Sequence, residues 1–226
     1  MHFWRLDQTI TGSGYTTDEA YLADLTAIYR QEIAALYDLG CRYVQLDEVP
    51  LICLPIPKSA PVLRRSVPIP QDSYPCISIT QSRLADRPPH MTAALHICRG
   101  NFKGKWLTEG GYDEIAGAVF QNVDVDGFFL EFDTQRAGGL EALRHVPAGK
   151  RVVLGLVSSK IPQLEDLSVI RKRVEEATRY RPLESLSISP QCGFASTVPG
   201  NPVTEEDQIE KLAALVQLAG EIWESD

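Results

Sequence analysis

No apolar run in this sequence approaches the roughly 18 residues that a membrane-spanning helix needs. The opening Met1-His2-Phe3-Trp4-Arg5 also lacks the apolar stretch of a secretory signal. Basic charge is in deficit: 22 Lys and Arg face 30 Asp and Glu, for a net charge of -8. A general nucleic-acid binder carries a basic face, so this balance disfavours one. Cysteine is sparse and odd in number, with Cys41, Cys53, Cys76, Cys98 and Cys192. An odd count in a chain of this size argues against a disulfide framework. Each thiol is then a small buried hydrophobe or a chemical group, and Cys41, just ahead of a strand pattern, reads as structural. These absences leave a cytoplasmic globular protein with no nucleic-acid or membrane partner as the expectation. No signal of oligomeric state is present.

What is present is a repeated helix–strand grammar. Residues 17–39 recur apolar at helical spacing, with Thr17 or Asp18 to cap the start and Gly40 to end it. A short strand at 43–46 then runs into Asp47-Glu48. The same pattern returns at 92–95 into His96-Ile97-Cys98, at 127–130 into Glu131, at 151–157 into Ser158-Ser159-Lys160, and at 186–188 into Pro190-Gln191-Cys192. Helices are expected at 111–121, 137–144, 163–180 and 204–223, the last capped by Thr204 with Glu206 and Asp207 in its first turn. Alternation of this kind implies a parallel α/β architecture. Polar residues gathered after the strands mark the working face of a (β/α)8 TIM-barrel type of fold, here incomplete, with about five of the eight strands. A doubly wound sheet would also put ligands there, but no glycine-rich phosphate loop follows any strand.

One segment breaks the grammar. Between residues 50 and 90 stand Pro50, Pro55, Pro57, Pro61, Pro68, Pro70, Pro75, Pro88 and Pro89. Proline at this density forbids a helix, so residues 55–82 are expected to be irregular or poorly ordered within a single partial barrel domain spanning 1–226.

The strand ends carry the chemistry. In extended backbone, positions i and i+2 share a face, so His96 and Cys98 can reach one ion. Zinc accepts thiolate, imidazole and carboxylate in a tetrahedral shell, and thiolates disfavour magnesium or calcium. Glu131 and Cys192, at two further strand ends, complete a possible quartet. Spacing alone leaves Cys98 and Cys192 equally readable as packed thiols and His96 as a core histidine. Glu131 is harder to dismiss, because an unpartnered carboxylate after Phe128-Phe129-Leu130 would be costly to bury.

Four motifs in order carry a family resemblance: Tyr43-Val44-Gln45-Leu46-Asp47-Glu48, His96-Ile97-Cys98-Arg99-Gly100-Asn101-Phe102, Phe129-Leu130-Glu131 and Ser189-Pro190-Gln191-Cys192-Gly193-Phe194. Across 15–50 and 90–224 the chain resembles the C-terminal half of the catalytic barrel of cobalamin-independent methionine synthase, and still more its shorter single-barrel relatives. The resemblance implies zinc held by His96, Cys98, Glu131 and Cys192. It implies that Asp47 holds the amino group of homocysteine and that the methyl donor is a methyl-folate. Glu48, Arg99 and Asn101, beside these residues, are expected to contact or orient substrate. Phe3 and Trp4 read as core residues rather than as a stacking surface for a pterin.

Three departures accompany the resemblance. The chain is expected to start part-way through the family's barrel. The large family enzymes have a histidine for proton transfer in the region of Leu156-Val157-Ser158-Ser159-Lys160-Ile161-Pro162, and none stands here. The proline-rich segment occupies the place of a family helix. Two other readings therefore stand beside methyl transfer to homocysteine: zinc-dependent alkyl transfer to another small thiol, and a truncated zinc-binding remnant without activity.

Overall fold

The computed structural model describes residues 10–48 and 83–224. Residues 55–82, and Phe3 and Trp4, lie outside the described residues. Helix α1 (Asp18–Asp38) is capped by Thr17, whose side chain accepts from the Ala20 amide. It ends at Gly40, whose φ of +98° is the left-handed conformation open to glycine. Strand β1 (Tyr43–Asp47) follows, then β2 (Thr92–Ile97), α2 (Asp113–Asn122), β3 (Gly127–Glu131), β4 (Arg151–Val157), α3 (Leu167–Ala177), β5 (Leu186–Pro190) and α4 (Glu205–Trp223). Among the described residues no helix is long and apolar enough to cross a membrane.

All neighbouring strands pair in parallel, in the order β1-β2-β3-β4-β5. This sequential order has no switch point, which separates it from a doubly wound sheet and makes it a run of barrel-type β/α units. One sheet face is apolar through Leu95, Ile97, Phe128, Leu130, Val152 and Leu154. Ile115, Val119 and Phe120 of α2, Ile170 and Val174 of α3, and Leu215 and Leu218 of α4 belong to the same core. Burying these side chains at roughly 1.5–3 kcal/mol each is the main force that holds the helices to the sheet.

Two expected helices differ. The turn expected at 137–144 is a pair of short 3-10 turns, Gln135–Ala137 and Glu141–His145, separated at Gly138 by a φ of +79°. The helix expected from 163 begins only at Leu167, because the Asp166 carboxylate accepts from the Ser168 amide and caps it there. The Thr204 cap is a full capping box: its side chain accepts from the Asp207 amide and the Asp207 carboxylate accepts from the Thr204 amide.

Register places the chemistry. Asp47 lies beside His96, and Glu131 beside Gly155. A Cβ at Gly155 would stand 3.1 Å from the Leu130 carbonyl and 3.2 Å from the Gln191 Cα, tighter than a side chain normally tolerates. Glycine here, together with the register shift between Gly155 and Val157, lets the end of β5 cross close to β3. That crossing carries Cys192 to Glu131.

Candidate metal centre

His96, Cys98, Glu131 and Cys192 each present one donor atom, and these atoms lie within 4.8 Å of one another. The Cys192 thiol donates to Glu131 Oε1 at 2.8 Å. Its sulfur lies 3.2 Å from Cys98 Sγ and 3.7 Å from His96 Nε2. His96 Nε2 is 3.9 Å from Glu131 Oε1. Cys98 Sγ also accepts from the Gly100 amide at 3.2 Å. Gly100 has a φ of +88°, and a Cβ there would meet Leu107 Cβ at 2.6 Å, so this turn requires glycine.

The electrostatics follow from crowding four titratable groups. The Cys98 thiol is pulled down to about 6, first by its hydrogen bond with Cys192 and further by His96, against the effect of burial. The Cys192 thiol is pushed far up, first by the same bond to Cys98, then by burial and the Glu131 charge. For His96, burial disfavours the charged ring, but the hydrogen bond to Cys98 and the charges of Cys98, Glu131 and Asp47 outweigh it, and the pKa lies above the ordinary value.

Glu131 is fully buried. Its amide donates to the Tyr112 hydroxyl at 2.8 Å, which anchors the strand end. Among the described residues its Oε2 accepts no hydrogen bond; Lys160 Nζ stands 3.8 Å away and Arg136 Nη2 3.9 Å. A buried, incompletely paired carboxylate beside two thiols and an imidazole is a donor set suited to a soft divalent cation. The four residues thus fit a metal ion.

Three of the four, His96, Cys98 and Cys192, border a cavity of about 870 Å3, also lined by Gln45, Asp47, Asn101, Trp106, Phe129 and Gln191; Glu131 lies behind them, fully buried. This volume is within the usual range for small-molecule sites. Asp47 accepts from Gln45 Nε2 at 3.0 Å and faces this space. Asn101 lines it too, but its amide is engaged with the Gly193 carbonyl at 3.1 Å and Ser196 Oγ at 3.0 Å.

Two expected substrate residues are placed elsewhere. Glu48 is buried in an ion pair with Arg83, 2.6 Å apart, and Arg83 lies over the Tyr29 ring. Arg99 is buried with its guanidinium 4.5 Å from the centre of the Tyr112 ring and donates to the Ala137 carbonyl. Neither lines the cavity. Both serve the framework behind the strand ends, because a charged group removed from water takes whatever partner the packing offers.

Lys160, Arg136 and Tyr112 stand beside Glu131 and Trp106 lines the cavity, and sequence reading singled out none of them. Lys160 has a visible signal, since it lies in the polar Ser158-Ser159-Lys160 run that follows β4. Arg136 is held by Asp133, an i,i+3 partner, at 2.9 Å and lies 4.6 Å from the centre of the Trp106 ring; no spacing rule brings Arg136 to Trp106.

The chain is 42% identical over 202 residues to the uncharacterized protein YxjG of Bacillus subtilis (strain 168), covering 88% of this chain and 53% of that one. It is 24% identical over 182 residues to the methionine synthase of Pyrococcus abyssi, covering 80% of this chain and 45% of that one. A solved Listeria monocytogenes protein, a candidate vitamin-B12-independent methionine synthase, superposes with a TM-score of 0.68 at 33% identity, over 91% of this chain and 56% of that one. The B12-independent methionine synthase of a Shewanella species, solved with selenomethionine, shares the fold with a TM-score of 0.70 at 18% identity, over 93% of this chain and 57% of that one. The chain spans about half the length of the Bacillus subtilis relatives YxjG and YxjH. The model of the cobalamin-independent synthase catalytic domain matches residues 8–221, and the chain belongs to that family.

Proposed function

We propose that this chain is a zinc-dependent thiol methyltransferase. It would transfer a methyl group from 5-methyltetrahydrofolate, or its polyglutamate, to the thiol of homocysteine to give methionine. The observation that carries the reading is the clustered quartet, three members of which line a cavity that Asp47 shares. His96, Cys98, Glu131 and Cys192 would hold the zinc. When bound, the ion supplies Lewis acidity that keeps a substrate thiol deprotonated at neutral pH. Asp47 orients the substrate ammonium through its carboxylate. Trp106, Phe129 and Pro190 give the cavity apolar walls that exclude water from the reacting sulfur. The sulfur–carbon bond forms as the methyl–N5 bond breaks, and the electron pair goes to N5, which then takes a proton. Lys160 and Arg136 offset the charge of Glu131.

A second reading keeps the metal and the thiol but changes the substrates, as in alkyl transfer to another small thiol. The greater identity to YxjG than to the methionine synthases favours keeping it. Metal analysis tests the common core of both. One zinc per chain, lost in both Cys98→Ser and Cys192→Ser, is expected; zinc unaffected by either substitution would overturn both. Methyl-folate-dependent methionine formation from homocysteine then separates them.

A further inference from the structure

Three side chains converge on one carbonyl of the loop that carries Cys192. The Gly193 carbonyl, one residue beyond Cys192, receives the Asn101 amide at 3.1 Å, the Ser196 hydroxyl at 3.1 Å and the Asn201 amide at 3.5 Å. Asn101 belongs to the loop after β2, three residues beyond Cys98. Asn201 comes from the segment just before α4 and does more than the other two. Its Nδ2 also donates to the Ser159 carbonyl, beside Lys160, at 2.7 Å. Its Oδ1 accepts from the Gly104 amide at 3.1 Å.

One side chain therefore joins three loops: that after β2 through Gly104, that after β4 through Ser159, and that after β5 through Gly193. These loops carry Cys98, Lys160 and Cys192. Gly104 is pressed into this junction, since a Cβ there would stand 2.7 Å from Pro202 Cδ and 2.8 Å from the Lys160 carbonyl. Its φ of +73° also requires glycine. A single group must supply two N–H donors on one side and a carbonyl acceptor on the other. Among side chains of this length only the carboxamide does so. Aspartate has the same shape but would set a charged acceptor against two carbonyl oxygens.

We infer that Asn201 is a positioning residue for the metal centre: it sets the distance between the Cys98 and Cys192 sulfurs by fixing the three loops to one another. The inference rests on the proposed metal-binding role of the quartet. Such supporting groups ordinarily change metal affinity by about tenfold to a hundredfold.

The test uses the whole chain with zinc or cobalt(II) as the probe, comparing Asn201→Asp and Asn201→Ser with the native residue. Asn201→Asp is expected to weaken zinc at least tenfold in a chelator competition and to change the thiolate–cobalt charge-transfer band. Asn201→Ser, which keeps a donor and an acceptor, is expected to fall between. A general loss of stability would lower the unfolding midpoint without moving the cobalt band of the folded protein. Native affinity and an unchanged band in both variants would overturn the inference. If Asn201→Asp does not fold, Asn201→Ser alone decides by the same band. Should the native chain bind no metal, the metal-centre reading fails by itself. Amide exchange in the metal-free protein then decides whether Asn201 ties the loops. Faster exchange at Gly104 and across 191–197 in Asn201→Ser supports the tie, and unchanged exchange overturns it.

Discussion

Lys160 Nζ stands 3.8 Å from Glu131 Oε2, with both side chains buried. The ammonium also donates to Gln191 Oε1 at 3.2 Å, so it joins the end of β4 to the loop that carries Cys192. It is the buried cation on one side of a proposed metal ligand. Arg136 is the other.

Removing that cation separates its two effects. Lys160→Met leaves Glu131 with a partial partner in Arg136 and leaves Gln191 without its donor. Urea unfolding of the metal-free protein is expected to show a loss on the order of 3 kcal/mol, the scale for breaking a buried pair. With zinc present the loss should shrink, because the ion then faces the same carboxylate. Equal losses with and without zinc would argue against Glu131 as a ligand.

Metal affinity is expected to depend on pH in a defined direction. Binding requires both thiols deprotonated and the imidazole neutral. Cys192 is pushed up by its bond to Cys98 and keeps its proton through neutral pH. Each ion bound to the neutral-imidazole site then displaces one proton, and affinity rises about tenfold per pH unit. Below about 6 Cys98 is protonated as well, and His96, raised above its ordinary value, is charged. The dependence should steepen there towards about a thousandfold per unit. Zinc competition titrations across this range check the slope, and a flat profile would contradict the thiol assignment.

Tyr112 tests how β3 presents Glu131. Its hydroxyl accepts the Glu131 amide at 2.8 Å and donates to the Ile97 carbonyl at 3.2 Å. Tyr112→Phe strands a buried amide, which costs about 1–3 kcal/mol. Thermal or urea unfolding should show that loss. Zinc affinity should fall with it, because the amide belongs to the ligand residue itself.

Asp47 concerns the substrate rather than the metal. If it holds the substrate ammonium, Asp47→Asn should raise KM for homocysteine by about tenfold or more, the scale of a lost charged hydrogen bond. Zinc content should stay unchanged. Steady-state kinetics beside metal analysis would reveal the split, and an unaltered KM would remove Asp47 from the amino-acid site.

Much of this site was legible in the residues alone. Period-2 geometry, continued one residue past the end of β2, puts His96 and Cys98 on one face, and Thr204 with Asp207 marks the start of α4. Polar residues follow each of the five strands in the sequence, and the quartet and the cavity lie at that end of the sheet. Only tertiary structure decided which of those polar groups turn inward to the cavity. Glu48 looked equivalent to Asp47, yet Arg83, 35 residues away, draws it into an ion pair. Arg99 follows Cys98 directly, yet the Tyr112 ring holds it behind the site. Asn101 reaches the cavity wall, but Gly193 and Ser196 claim its amide. Beyond the last residue of a strand, the ladder no longer enforces the alternation that orients side chains. The nearest partner then fixes each group, and here most partners arrive from distant loops. Asn201, 97 residues from the Gly104 amide it accepts in the loop after β2, could be found only in the folded chain.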